Sequence, residues 1–231
     1  MSTRSQTATL RIASYNIRKT RGLDQRRDPT RIVEVLNGLN ADVVALQEVD
    51  RRLGDRPAAL SQRLIEEETD FQVVPVAQNS VSLGWHGNAV LLRRSRGFRS
   101  VSRIELPGLE PRGAVRVDLN GGLTFVGAHL GLTRQHRRRQ LSVIANVLSD
   151  APQSIIGGDF NEWRMERGLE PLSDRFSVVS PGRSFHAARP IAALDRFAHT
   201  SEISLHQPVV DERPLARQAS VHLPIWADIV V

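Results

Sequence analysis

Three apolar segments of this chain run directly into polar clusters. "TATLRIASYNI" (7–17), "ADVVALQE" (41–48) and "QSIIGGDFN" (153–161) carry an amide or a carboxylate, Asn16, Glu48 and Asp159 with Asn161, at or next to their ends. The second is a buried strand by its continuous apolar run, and the third repeats the pattern. A buried strand must be covered on both faces, so the chain is confined to layered architectures in which helices or a second sheet supply the cover.

The remaining segments select among these. In "RRDPTRIVEVLNGLN" (26–40), Asp28 is a candidate helix cap with Pro29 in the first turn, and Ile32, Val35, Leu36 and Leu39 form one apolar stripe. A second helix is expected within 57–68 and a third from about 134 to 149, the latter carrying Leu141, Ile144, Ala145 and Leu148 on one side. Further strands are expected at 71–77, 88–94, 112–118 and 123–130, and in "ALDRFAHT" and "LPIWADIVV". Asn120-Gly121-Gly122 signals a hairpin. No glycine fingerprint follows an early strand, so an α/β sandwich fits better than a dinucleotide-binding fold. No linker or internal repeat divides the chain. The expectation is a polar, disordered tail over 1–8 and one domain over 9–231.

A carboxylate just past a buried strand is held rigidly yet projects into a cleft, which is what a metal ligand or water-activating group requires. Taken singly, each candidate also has a structural explanation. His129 suits a satisfied core histidine, Asp159 a turn cap, Asp195 a partner for Arg196, and Asn16 a backbone-bonded buried amide. Arg112 in "PRGAV" suits a surface arginine or a phosphate contact. "RQHRRRQ" (134–140) reads as the solvated start of a helix, and His86 in "GWHGNAV" as exposed rather than catalytic.

In combination and order the residues say more. Asn16, Glu48, His129, Asp159, Asn161, Asp195 and His222, carried by "SYNIR", "LQEVD", "VGAHLGL", "GGDFNEW" and "LDRF", resemble the endonuclease/exonuclease/phosphatase superfamily over nearly the whole chain. That group includes pancreatic deoxyribonuclease, exonuclease III, sphingomyelinases and inositol polyphosphate 5-phosphatases. The resemblance implies a four-layer α/β/β/α sandwich of two packed mixed sheets flanked by helices, and hydrolysis of a phosphoester with Mg²⁺ or Mn²⁺. By position, Glu48 matches the metal-binding glutamate, with Asn16 beside it. Asp159 matches the group that activates water. Asn161 and His129 match donors to phosphate oxygens, and Asp195 matches the partner of His222. These residue types suit the chemistry. A phosphoester anion needs a hard cation with oxygen ligands, a base for water and donors for the developing charge.

One position departs from the pattern. In most of the superfamily an aspartate that reaches the metal precedes the last histidine, and "SVHLPIW" (220–226) has Val221 there. Asp228, seven residues on, falls on the opposite strand face and is a poor substitute. The rest of the constellation is intact, which favours an active or weakly active enzyme over a non-catalytic phosphate-binding pseudoenzyme. The formal charge of +6 raises an anionic partner slightly, since Lys19 is the one lysine among 31 basic residues and the arginine bias has a compositional explanation. Substrate candidates are a nucleic acid, a lipid headgroup or a small phosphoester. An aromatic content of 5% leaves few platforms for base stacking. "ALDRF" also lacks the tryptophan and tyrosine of the exonuclease III branch, which moves the expectation from a repair nuclease without removing a general one. There is no cysteine for disulfides or thiolate metal sites, no apolar leader at the start and no apolar run of membrane-spanning length, so the expectation is a cytoplasmic monomer.

Overall fold

The computed structural model describes residues 9–165 and 167–231; the expected tail over 1–8 lies outside them. The described residues form twelve strands and four α-helices. The first half runs β1 (Thr9–Asn16), α1 (Pro29–Leu39), β2 (Val43–Gln47), α2 (Gln62–Glu68), β3 (Phe71–Val73), β4 (Asn88–Arg93), β5 (Phe98–Leu106) and β6 (Arg112–Leu119). The second half runs β7 (Thr124–His129), α3 (Arg134–Val147), β8 (Ser154–Asp159), β9 (Ser177–Val179), β10 (Asp195–His199), β11 (Ser204–Val210), α4 (Pro214–Ala219) and β12 (Ile225–Val230). They form two six-stranded mixed sheets, ordered β11-β12-β1-β2-β4-β3 and β5-β6-β7-β8-β10-β9. The expected sandwich is the observed fold.

Side-chain alternation builds the layers. Ile12, Val43, Ala45, Val90, Phe125, Ile155, Phe197 and Ile225 meet between the sheets. Their alternate neighbours, including Ala13, Val44 and Leu46, face outward onto α1, α2 and α4, while Val126, Ala128 and Ile156 face α3. The sheets approach closely where Gly127 lies; a methyl group there would stand 3.2 Å from both Ala45 and Val90. Asp28 caps α1 as expected, its side chain accepting from the Arg31 N–H.

Five elements depart from the sequence reading, one of them the short helix α4, which that reading does not contain. The strand expected over 71–77 stops at Val73; Pro75 removes a ladder donor, although Val74 and Val76 still fill the inter-sheet core. Strands β5, β9 and β11 were not anticipated. All three are sheet edges with mixed or exposed burial, so they lack the apolar signal of a central strand.

Candidate active site

The polar residues at the strand ends belong to the inter-sheet face. Counting in twos along β7, Phe125 and Gly127 lead to His129; along β8, Ile155 and Gly157 lead to Asp159; along β1, Ile12 and Ser14 lead to Asn16. On β10 the order is reversed, from Phe197 to Asp195. Parallel pairing sets His129 opposite Asp159, and antiparallel pairing sets Asp195 opposite Asp159 on its other side. Backbone register therefore lays three polar side chains abreast where the two sheets part.

Asp159 is the hub. Its Oδ2 accepts from Asn16 Nδ2 at 3.0 Å and faces His129 Nε2 at 3.4 Å and His222 Nε2 at 3.7 Å, while Oδ1 accepts from the Asn161 N–H at 3.0 Å. Burial, together with the nearby Asp195 charge, pushes the Asp159 carboxyl up, against the pull of His222 and the donated hydrogen bonds. Asp195 does not pair with Arg196. Its Oδ2 lies 2.9 Å from His222 Nδ1 and accepts from Ser184 Oγ at 2.5 Å. Burial opposes a charge on His222, but Asp195 and Asp159 overcome it and the imidazole is pushed up to about 9. His129 moves the other way: burial, reinforced by Arg112 and His222, holds it well below the ordinary histidine range. The two histidines thus differ in charge at neutral pH, His222 cationic and His129 neutral.

Beside this group lies a cleft in two joined compartments. One, of about 440 Å³, is lined by Glu48, His86, Arg112, His129 and Asn161 among others; a wider one, of about 820 Å³, brings Glu48 together with Arg51, Arg52, Val221 and His222. Arg112 enters the first compartment with its guanidinium 2.9 Å from Glu110. His86, read from sequence as exposed, is half-buried at the cleft wall, edge-on to Trp85 and 3.0 Å from Arg56 Nη1. Glu48 follows β2 with φ 57°, and its carboxylate is paired with Lys19. Burial, then Arg52 and Arg18, draw the Lys19 ammonium down to about 8.

Two places offer oxygen or nitrogen ligands to a cation. Asp159, Asp195 and His222 present ligand atoms within 4.8 Å of one another. Within this trio, however, Asp195 already holds His222 Nδ1 at 2.9 Å, an arrangement that suits proton chemistry. Glu48 fits a hard cation better. It is a carboxylate at the cleft surface, and Asn16, whose Cα pairs with that of Gln47, ends the adjacent strand. A cation that keeps most of its waters needs one or two carboxylates. Val221 presents only methyl groups to the same compartment, and Asp228 is turned away, 2.8 Å from Arg11.

Several supports of the site were not legible as such. Arg137, within the arginine run read as solvated, is buried; it donates to the Gly131 and Leu132 carbonyls and pairs with buried Glu162 at 2.6 Å. Fully buried Arg196 donates to the carbonyls of Ala193, Glu162 and Arg164. These two guanidiniums fix the loops after β7 and β8. Ser220 Oγ donates to the Asn16 carbonyl and accepts from the His222 N–H, tying the final loop to β1. Left-handed backbone also concentrates here. Of the ten non-glycine residues with positive φ among the described residues, eight lie at the cleft edge, including consecutive Arg18, Lys19 and Thr20 and the candidate residues Glu48 and Asn161. A serine before the last histidine, or an Asp-x-Asn turn, hints at this; the buried arginines carry no sequence signal.

A fold of two mixed sheets with this polar group at their parted edge defines a phosphoesterase-type sandwich. The chain belongs to the Endonuclease/Exonuclease/phosphatase family, whose sequence pattern matches residues 13–222. The members of that family are phosphoester hydrolases that generally use divalent metals. Among its relatives is the "Uncharacterized protein YbhP" of Escherichia coli K12, 26% identical over 99% of each chain. Similar solved structures include humanized D. rerio TDP2, with 19% identity, a TM-score of 0.72 and coverage of 96% of this chain and 98% of that one. Another is a mannosyl-6-phosphatase from Bacteroides thetaiotaomicron VPI-5482, with 14% identity, a TM-score of 0.73 and coverage of 96% and 100%.

Proposed function

We propose that this protein hydrolyses phosphoesters with the aid of a divalent cation, Mg²⁺ or Mn²⁺, held on Glu48 with Asn16 beside it. The supporting observation is the Asp159 hub, a carboxylate with its basicity raised by burial and flanked by one neutral and one cationic histidine. When bound, the cation supplies charge neutralisation for the phosphoester. Asp159 orients water and accepts its proton, since a carboxylate pushed up is a stronger base. His129 and Asn161 donate to phosphate oxygens, and Arg112 contacts the same group from the cleft wall. His222, held in one orientation by Asp195, offers an imidazolium N–H to the developing negative charge.

Val221 makes the site one carboxylate poorer and weakens cation binding. A second reading, a phosphate-binding module without turnover, is favoured by this valine and by the Lys19 ammonium seated on Glu48. A panel of phosphodiesters, including nucleic acid, and phosphomonoesters assayed with Mg²⁺, Mn²⁺ and chelator separates the two. The catalytic reading expects metal-dependent release, lowered by orders of magnitude in kcat with little change in KM by Asp159→Asn. Binding without turnover under every condition would support the module instead.

A further inference from the structure

Strand directions place the loops 17–28, 48–61, 74–87, 107–111, 130–133, 160–165, 180–194, 211–213 and 220–224 at one edge of the sandwich, the edge that holds the cleft. Among the described residues, every exposed large apolar side chain lies on these loops. Leu53, 86% exposed, follows Arg51 and Arg52 after β2, and Leu109, 88% exposed, precedes β6. Leu132 follows β7, Trp163 and Met165 flank Arg164 after β8, and Ile191 follows Arg189 before β10. Val81, less exposed, precedes β4. The outward faces of the four helices, the edge strands and the opposite loops expose none.

Single exposed apolar residues are ordinary, but their confinement to one edge is not. The neighbouring charges decide what would cover them. Arg51, Arg52, Arg164 and Arg189 are exposed and form no ion pair among the described residues. Apolar tips interleaved with guanidiniums that no described carboxylate neutralises match an interface that is anionic at its surface and hydrocarbon just beneath. A second copy of the chain would bring like charges together. Single-stranded nucleic acid would use ring faces for stacking, and only Trp163 among the seven is aromatic. No helix of the described residues is long and apolar enough to cross a membrane, so contact would be peripheral.

We infer that the cleft edge docks on an anionic phospholipid surface, with Leu53, Leu109, Leu132, Trp163, Met165 and Ile191 entering the headgroup boundary and Arg51, Arg52, Arg164 and Arg189 meeting lipid phosphates. Docking turns the cleft toward the headgroup layer. The inference does not require that the site be catalytic, and its test reads binding alone. The whole chain would be floated with phosphatidylcholine vesicles made with and without phosphatidylglycerol. Expected are flotation with the anionic vesicles, a blue shift of Trp163 emission that Trp163→Phe removes, and at least a tenfold loss of partitioning in the triple variant Leu53→Ser/Leu109→Ser/Met165→Ser. Exposed positions tolerate such changes, and an unchanged melting curve verifies it. Arg51→Ser/Arg52→Ser should reduce binding to the anionic vesicles. Absence of flotation, or flotation untouched by the triple variant, would overturn the inference. Residue-dependent binding to single-stranded DNA without flotation would do so as well, and would assign the face to nucleic acid.

Discussion

Replacing Asp195 by asparagine tests the charge logic of the site most directly. His222 is buried, its side chain 8% exposed, yet its imidazole is pushed from 6.5 up to about 9. That difference corresponds to roughly 3 kcal/mol in favour of the imidazolium. Asp195 is the larger of the two opposing attractions and also makes the 2.9 Å contact to Nδ1. In Asp195→Asn only Asp159 remains against the burial cost, so His222 should titrate at or below the ordinary histidine value. At pH 8 the imidazolium fraction would then fall roughly thirtyfold. Long-range ¹⁵N NMR of the histidine rings, with His222 assigned from a His222→Gln spectrum, reads this without any substrate. The same shift should move the alkaline limb of kcat from about pH 9 toward neutrality, with activity recovering near pH 6. Stability follows with a defined sign. Because the folded pKa lies above the unfolded one, the contribution is fully present below about pH 6.5 and is lost as pH rises through about 9. The melting temperature of the natural protein should therefore decline across that window, and Asp195→Asn should flatten the decline. A wild-type His222 that titrates near 6.5, or one whose titration Asp195→Asn leaves in place, would refute the reasoning.

Other outcomes follow from neighbouring positions. Glu48→Gln should abolish Mn²⁺ binding by calorimetry while leaving the melting curve close to that of the natural protein; retained binding would move the cation elsewhere. Val221→Asp adds a carboxylate in a compartment already lined by Arg18, Arg27 and Arg51, so it should fold and tighten Mg²⁺ binding by about 10–100-fold. Equal metal affinity with a lower melting temperature would show that the valine serves packing. Gly158→Ala should destabilise by roughly 1–3 kcal/mol, because a methyl there meets the Ala128 backbone carbonyl across the β7–β8 ladder. Chemical denaturation measures it, and an unchanged midpoint would mean that the two strands separate readily.

Much of the site was legible because its residues end strongly apolar strands. A period of two fixes the face of a side chain, and Asn16, His129 and Asp159 share a parity with Ile12, Phe125 and Ile155 that any reader of the sequence can count. Their order along the chain also carries the family pattern. The helix cap at Asp28 and the odd placement of Asp228 were readable for the same local reason. What the sequence could not decide was distance. Asn16 and Asp159 stand 143 residues apart and meet only because β1 and β8 lie in facing sheets. The pairing of Lys19 with Glu48 depends on left-handed backbone at both residues, which local propensity disfavours and surrounding contacts impose. Arg137 reads as solvated in a run of arginines and is buried because Glu162 arrives from another loop to neutralise it. Edge strands β5, β9 and β11 carry weak patterns because half their surface faces water, so pairing partners rather than composition define them. The sequence determined which side chains face the parted edge of the sheets; only the tertiary structure decided which of them touch, and therefore which carry charge.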